Sequence, residues 1–250
     1  MFKKLTLLTV TFCSFSYGFV SLEPPEIGKK RGFDGEVSVG GTFNSGNTNS
    51  IAMHLELKTE YHKQFWMLYS LALSAYGETN DNTNKNNGLF HLRYIHNIQK
   101  TPYDYELFVQ TESNKFQSVN VRNIAGANIR RKITNFFDTC YIGLGLFYSY
   151  MEPNTITLLN PLYKRTKINT YLSFTKNLNE HVSVTYLGFY QPNMEEFLDY
   201  RIFEVLQLDT TLTKNLFLGL DINHKYNATP YHNIKKTDIS SIISLKYKFK

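Results

Sequence analysis

Beyond its first 15 residues the chain has no long apolar run, and a membrane-spanning helix needs about 20 such residues. No helical span is therefore expected. Cysteine is nearly absent: of 2 in total, Cys13 lies in the N-terminal apolar run and Cys140 is the only one beyond it. That excludes an intrachain disulfide in the mature chain and any Cys-x-x-Cys redox or zinc site. Cys140 falls in the apolar phase of a strand, which fits a lipid-facing or buried structural residue and not a nucleophile. Clustered charge of one sign is also missing. The 27 Lys and Arg are scattered among 21 Asp and Glu, so no nucleic-acid-binding face is expected.

Familiar catalytic loops are missing too. No glycine-rich phosphate cradle occurs, and the Gly-x-Ser-x-Gly elbow fails because Glu36 stands where the first glycine belongs in Glu36-Val37-Ser38-Val39-Gly40. Asn80, Asn82 and Asn84 alternate like the oxygen ligands of a calcium loop. Lys85 then takes the glycine position and His91 that of the bidentate acid, so the match fails. No metal and no cofactor are expected.

What is present is alternation. In residues 237–249, Ile239, Ile243, Leu245, Tyr247 and Phe249 share one phase, while Asp238, Ser240, Ser244, Lys246 and Lys248 share the other. Successive strand side chains point to opposite faces, so this is a ribbon with one apolar and one polar side. The pattern recurs along nearly the whole chain, behind a start that reads as a secretory leader. Lys3 and Lys4 precede the apolar run 5–15, and Ser16-Tyr17-Gly18 supplies small residues for cleavage after Gly18. Phe12 occupies the place where a lipid-attachment signal before Cys13 wants a small residue, so lipidation is not expected. The formal net charge of +6 falls by two to +4 when Lys3 and Lys4 leave with the leader.

The reading is all-β: an antiparallel transmembrane β-barrel over residues 33–250, after a signal peptide (1–18) and a leader segment (19–32). Twelve strands are predicted, at 33–44, 50–62, 65–78, 88–98, 103–114, 121–133, 137–150, 164–176, 182–191, 200–213, 216–226 and 237–249. An even number puts both termini on one side. The connections alternate in length, with short turns such as Lys63-Gln64 and Lys214-Asn215 between longer links such as 79–87, 151–163 and 227–236. Short turns belong to the periplasmic rim and longer loops to the outside. The 19 Phe and 18 Tyr would supply the aromatic girdles at the two interfaces.

Alternation also assigns faces. His54, Glu56, Lys58, Glu60 and His62 point inward on the second strand, and Asp104, Glu106 and Glu112 do so on the fifth. His91, Arg93 and Arg130 join them as lumen-lining candidates. A narrow lumen charged in both signs is plugged by its own ion pairs as easily as it conducts. The three histidines match no ligand spacing, so ion pairing is favoured over metal or proton transfer. On the lipid-facing phase, Glu204, His224 and Ser241 come out near one another on three successive strands. This is an acid, base and hydroxyl order that would suit a lipid acyl hydrolase. The competing reading is polar groups at headgroup level. A one-residue slip would send any of them through the wall.

Three segments carry a family resemblance. Gly40-Gly41-Thr42-Phe43-Asn44-Ser45-Gly46-Asn47-Thr48-Asn49 resembles the first hairpin of the salt-induced outer membrane protein family. Tyr226-Asn227-Ala228-Thr229-Pro230 with Lys236-Thr237-Asp238 is similar to that family's last external loop, and Leu245-Lys246-Tyr247-Lys248-Phe249 to its final strand. The resemblance implies a barrel in the outer membrane of a Gram-negative bacterium, reached after Sec-type export. Membrane lipid, lipopolysaccharide and the barrel-insertion machinery would be its partners, and the family carries no assigned chemistry. Tyr247 and Phe249 would serve as the insertion signal, although Lys250 follows the closing aromatic residue. The expected role is a monomeric structural or narrow solute-permeating barrel and not an enzyme. The alternatives are the lipid hydrolase and a surface-interaction protein.

Overall fold

The computed structural model describes residue 27 and residues 31–44, 50–79, 82–133 and 137–250. The expected signal peptide, most of the 19–32 segment, residues 45–49 of the first-hairpin motif, Asn80 and the turn at 134–136 lie outside the described residues. Twelve strands follow in chain order: β1 (Gly32–Asn44), β2 (Ser50–His62), β3 (Trp66–Thr79), β4 (Asn82–Asn97), β5 (Tyr103–Asn114) and β6 (Val119–Lys132). The second half holds β7 (Thr139–Pro153), β8 (Tyr163–Asn177), β9 (Val182–Pro192), β10 (Tyr200–Thr211), β11 (Leu216–Asn227) and β12 (Thr237–Phe249). Every strand pairs antiparallel with its chain neighbours, and β12 returns to β1, from Gly35 opposite Phe249 to Gly41 opposite Ile243. The sheet is a closed barrel without an edge, so every wall strand has partners on both sides for its backbone polar groups.

Strand ends differ from the sequence expectation where strands rise above the apolar belt. β4 starts at Asn82 and not at 88: residues 82–87 continue the ladder against β3, across a register shift at Gly77/Glu78. Residues 82–87 of the expected 79–87 loop are thus strand; the calcium-like Asn82 pairs opposite Thr79, and Asn84 falls at the register shift. β7 likewise runs on to Pro153, and at the opposite, short-turn end β10 stops at Thr211. Backbone pairing sets strand length, and polar side chains do not end a strand whose outer end stands in water.

The outward phase forms the belt. Leu55, Leu107, Ile129, Leu144, Leu206 and Ile243 all stand exposed on the outside. Aromatic rings rim it below, through Tyr61, Trp66, Tyr94 and Tyr105 in successive contact. Above, Tyr190, Tyr200 and Tyr226 form a second arc. Such girdles lie at the two membrane interfaces. No helix among the described residues is long and apolar enough to cross a membrane; the crossing is made by strands. Cys140 is free and buried, in the outward phase opposite Phe174.

β3 departs from the greasy-outside rule because both its faces are largely apolar. Met67, Tyr69, Leu71 and Leu73 point inward and pack with Leu89, Ile95 and the preceding segment's Ile27. Ser70 takes the lipid side, where its hydroxyl bonds Thr59 at 2.6 Å, so neither group is left unsatisfied in lipid. The lumen is therefore apolar on one side and charged elsewhere, where alternation alone had suggested charge throughout.

Candidate functional site

The periplasmic half of the lumen is filled by two ion-pair networks. The first centres on Glu106 of β5. Its carboxylate accepts from Asn128 at 2.9 Å and from the Tyr171 hydroxyl at 3.0 Å, and faces Arg130 at 3.5 Å and Arg93 at 3.6 Å. Arg130 also donates to Asp104 at 2.7 Å and lies 4.1 Å over the Tyr141 ring. Tyr171 reaches Glu106 across three strand spacings because Gly143 lies beneath its ring, where any Cβ would collide with it. Both Arg130 and Glu106 are 0 % exposed. Buried charges of this kind persist only when paired and hydrogen-bonded.

The second network fills the other side. Lys246 bridges Asp209 at 2.7 Å and Asp221 at 3.4 Å, and Lys58 bridges Glu56 at 3.2 Å and Glu36 at 3.6 Å. Tyr69 stands between the two networks, with Lys58 and Glu56 on one side and Arg93 on the other as charged neighbours. On this wall Val205 and Lys246 are buried, at 1 % and 2 % exposure, while Lys58, Glu36, Asp209 and Asp221 keep a small part of their side chains exposed.

The inward candidates do face the lumen, but the three histidines are not brought together. His54 lies 4.0 Å from Glu56, and His62 bonds Glu60 at 2.8 Å. His91 bonds Gln110 at 3.1 Å through Nδ1 and accepts at Nε2 from Arg93 at 3.2 Å. A ring nitrogen that accepts from a guanidinium is unprotonated, so the network assigns the neutral Nδ1–H tautomer. Among the described residues, no group of three or more His, Cys, Asp or Glu is arranged to hold a metal ion.

Above the networks lies a chamber of about 130 Å³, continuous with the outside. Arg93, Phe108 and Phe189 line its lower part, and Glu112, Arg122, Arg201 and Lys225 its walls. Its roof is the loop at 228–236, which folds inward from β11 and β12 over the opposite strands. Tyr231 packs with Val119 and Met151, stacks on Tyr163 at 5.5 Å and donates to the Met151 carbonyl at 3.3 Å. Burial pushes its hydroxyl up to about 12, so it remains a neutral donor. Gln117 crosses the mouth to Asp238, and the Asn160 side chain accepts from the His232 amide.

Asp199, just before β10, pins the roof. It is fully buried, pairs with Arg165 at 2.8 Å and Lys167 at 3.3 Å, and accepts from the Thr229 hydroxyl. Burial raises its pKa, but the Thr229 bond and the two cations outweigh that and hold it below the usual aspartate value. Sequence reasoning missed Asp199 because it stands in a loop, where no alternation assigns a direction. Lys246 and Asp221 were legible from strand phase.

On the lipid face, Glu204 and His224 sit directly opposite each other, with Nδ1 to carboxylate at 2.8 Å. Tyr186 donates to the same carboxylate at 2.7 Å, across Gly188, where a Cβ would stand 2.6 Å from the phenol oxygen. Ser241 is opposite Ile222, and His224 is opposite Ile239. The serine therefore lies diagonal to the imidazole, about 7 Å away between Cβ atoms by sheet geometry. Around it, the backbone donors of β10 to β12 are engaged in the ladder, so the wall offers no spare pair of N–H groups for an oxyanion.

Three solved structures give the measure of the fold's likeness. The chain is similar to the KdgM porin at 12 % identity and TM-score 0.47, with 87 % of this chain and 99 % of that one covered. It is similar to the NanC porin at 13 % identity and TM-score 0.49, with 86 % and 99 % covered. The translocator domain of the autotransporter NalP from Neisseria meningitidis aligns at 9 % identity and TM-score 0.48, with 88 % and 89 % covered. Among curated proteins no match was found. The family model described as protein of unknown function, DUF481, matches residues 37–249 from the first strand to the last, and the chain belongs to that family.

Proposed function

We propose that this protein is an outer-membrane wall protein whose lumen is closed at rest, and not an open diffusion pore. One observation carries the reading: wall side chains around the lower lumen are buried, from Arg130 and Glu106 on one side to Leu187, Val205 and Lys246 on the other. A water-filled channel would leave such residues wetted. The apolar belt would be solvated by outer-membrane lipid and lipopolysaccharide, as a single barrel exported by the Sec route. The insertion machinery would read the closing strand through Tyr247 and Phe249. The test is planar-bilayer recording of the purified barrel. Wild-type protein is expected to be silent at moderate voltage, and a steady conductance would refute the closed reading.

A second reading rests on the Glu204–His224 pair, because an acid on Nδ1 is the arrangement a hydrolytic imidazole needs. The diagonal Ser241 and the lack of oxyanion donors weigh against it. No phospholipid hydrolysis is expected. Turnover by the wild type that His224→Ala and Ser241→Ala each abolish would establish the enzyme instead.

A further inference from the structure

The chamber beneath the roof loop is unbalanced in charge. Six cationic side chains line it (Arg93, Arg122, Arg201, Lys225, Lys235 and Lys236), against only Glu112 and Asp238. Glu112 bonds Arg122 at 2.9 Å and also has Lys225 and Arg201 as charged neighbours; Asp238 stands near Lys225, and Asp199 near Arg201 is already shared with Arg165 and Lys167, so the cations outnumber the carboxylates. Arg201 forms its bond through Nη2 to the Met151 sulfur at 3.2 Å. A thioether is a weak acceptor, whereas the planar guanidinium fork matches a carboxylate or phosphate with two parallel bonds. Amide side chains of Gln110, Asn169 and Gln191 share the lining and offer both donors and acceptors.

Enclosure strengthens these charges. A wall of low dielectric with cations of one sign focuses potential and concentrates counter-ions. The tyrosine-anchored roof limits exchange with bulk water.

We propose that the chamber binds a small organic oxyanion carrying two or more carboxylate or phosphate groups. Arg201 is the principal contact, Arg122 and Lys225 flank it, and the loop at 228–236 closes over the ligand. The proposal rests on the closed-lumen reading only in that the chamber has a floor.

The test is calorimetric titration of the detergent-folded barrel at low salt with citrate in one arm and pyrophosphate in the other, and with glucose as the neutral control. Citrate or pyrophosphate is expected to bind, with affinity falling as salt rises, and glucose is not. Arg201→Gln is expected to weaken binding roughly tenfold or more, the scale of one lost charge-assisted bond. Arg201→Lys should fall between, and both variants should keep heat-modifiable migration on gels as the sign of a folded barrel. Tyr231→Ala loosens the roof and guards against a lid that is simply shut. Absence of binding in both wild type and Tyr231→Ala overturns the proposal, and so does unchanged affinity in Arg201→Gln or equal binding of glucose. Conductance of the same samples reports separately on the closed lumen, so either idea can fail without the other.

Discussion

Replacing Glu106 tests whether the lower lumen is a dry, ion-paired plug. The carboxylate is wholly buried, accepts two hydrogen bonds and faces two guanidiniums. Glu106→Ala leaves Arg130 with Asp104 and the Tyr141 face, but leaves Arg93 with only its bond to His91. Breaking a buried pair by removing one partner costs about 3–5 kcal/mol. Because Arg130 remains compensated, the loss should lie near the lower end, at about 3 kcal/mol. Glu106→Gln keeps acceptors for Asn128 and Tyr171 and should lose less. Replacing Glu106 and Arg93 together by Leu and Met should recover much of the loss, since a buried pair exchanged for apolar groups is often neutral. The assay is urea unfolding of the barrel in lipid vesicles, followed by the heat-modifiable gel shift. A loss below about 1 kcal/mol for Glu106→Ala, the level of solvent-exposed pairs, would mean that water reaches the network and that the lumen is open.

Two further outcomes follow from the roof and the seam. The folded pKa of Asp199 is depressed, so its contribution is present above the unfolded aspartate range and is lost as pH falls through that range and below it. Protease protection of the 228–236 loop should therefore decline only in acid, and Asp199→Asn should remove that dependence; protection unchanged down to the lowest pH at which the barrel stays folded would contradict the latch. At the seam, Phe249 pairs opposite Gly35 and lies 6.3 Å from the Phe33 ring. Deleting Phe249 and Lys250 together should impair insertion far more than deleting Lys250 alone, as read by the folded fraction in outer-membrane extracts, and equal effects would remove Phe249 from the closure.

The sequence by itself determined the wall. A period of two can be read wherever one strand face meets lipid and the other does not, so twelve strands, their order and the inward phase of residues such as Glu56, Lys58 and Glu106 were legible. So was the family, because its hairpin motifs are local. Pairing of Glu204 with His224 was legible too, since hairpin centres set cross-strand register. Where that logic lacks contrast it fell silent. β3 is apolar on both faces, so only packing against Leu89 and Ile95 decided that Met67 and Leu71 point inward.

The contents of the barrel belong to tertiary structure. Gln117 meets Asp238 across 121 residues, and Tyr231 meets Met151 across 80. No local pattern encodes contacts made by side chains that converge from opposite sides of a closed cylinder. Whether facing charges meet or stand apart depends on their height along the barrel and on gaps such as Gly143, which lets Tyr171 reach Glu106. Closure of the sheet brought those side chains to the same level, and with them came the plug, the roof and the chamber.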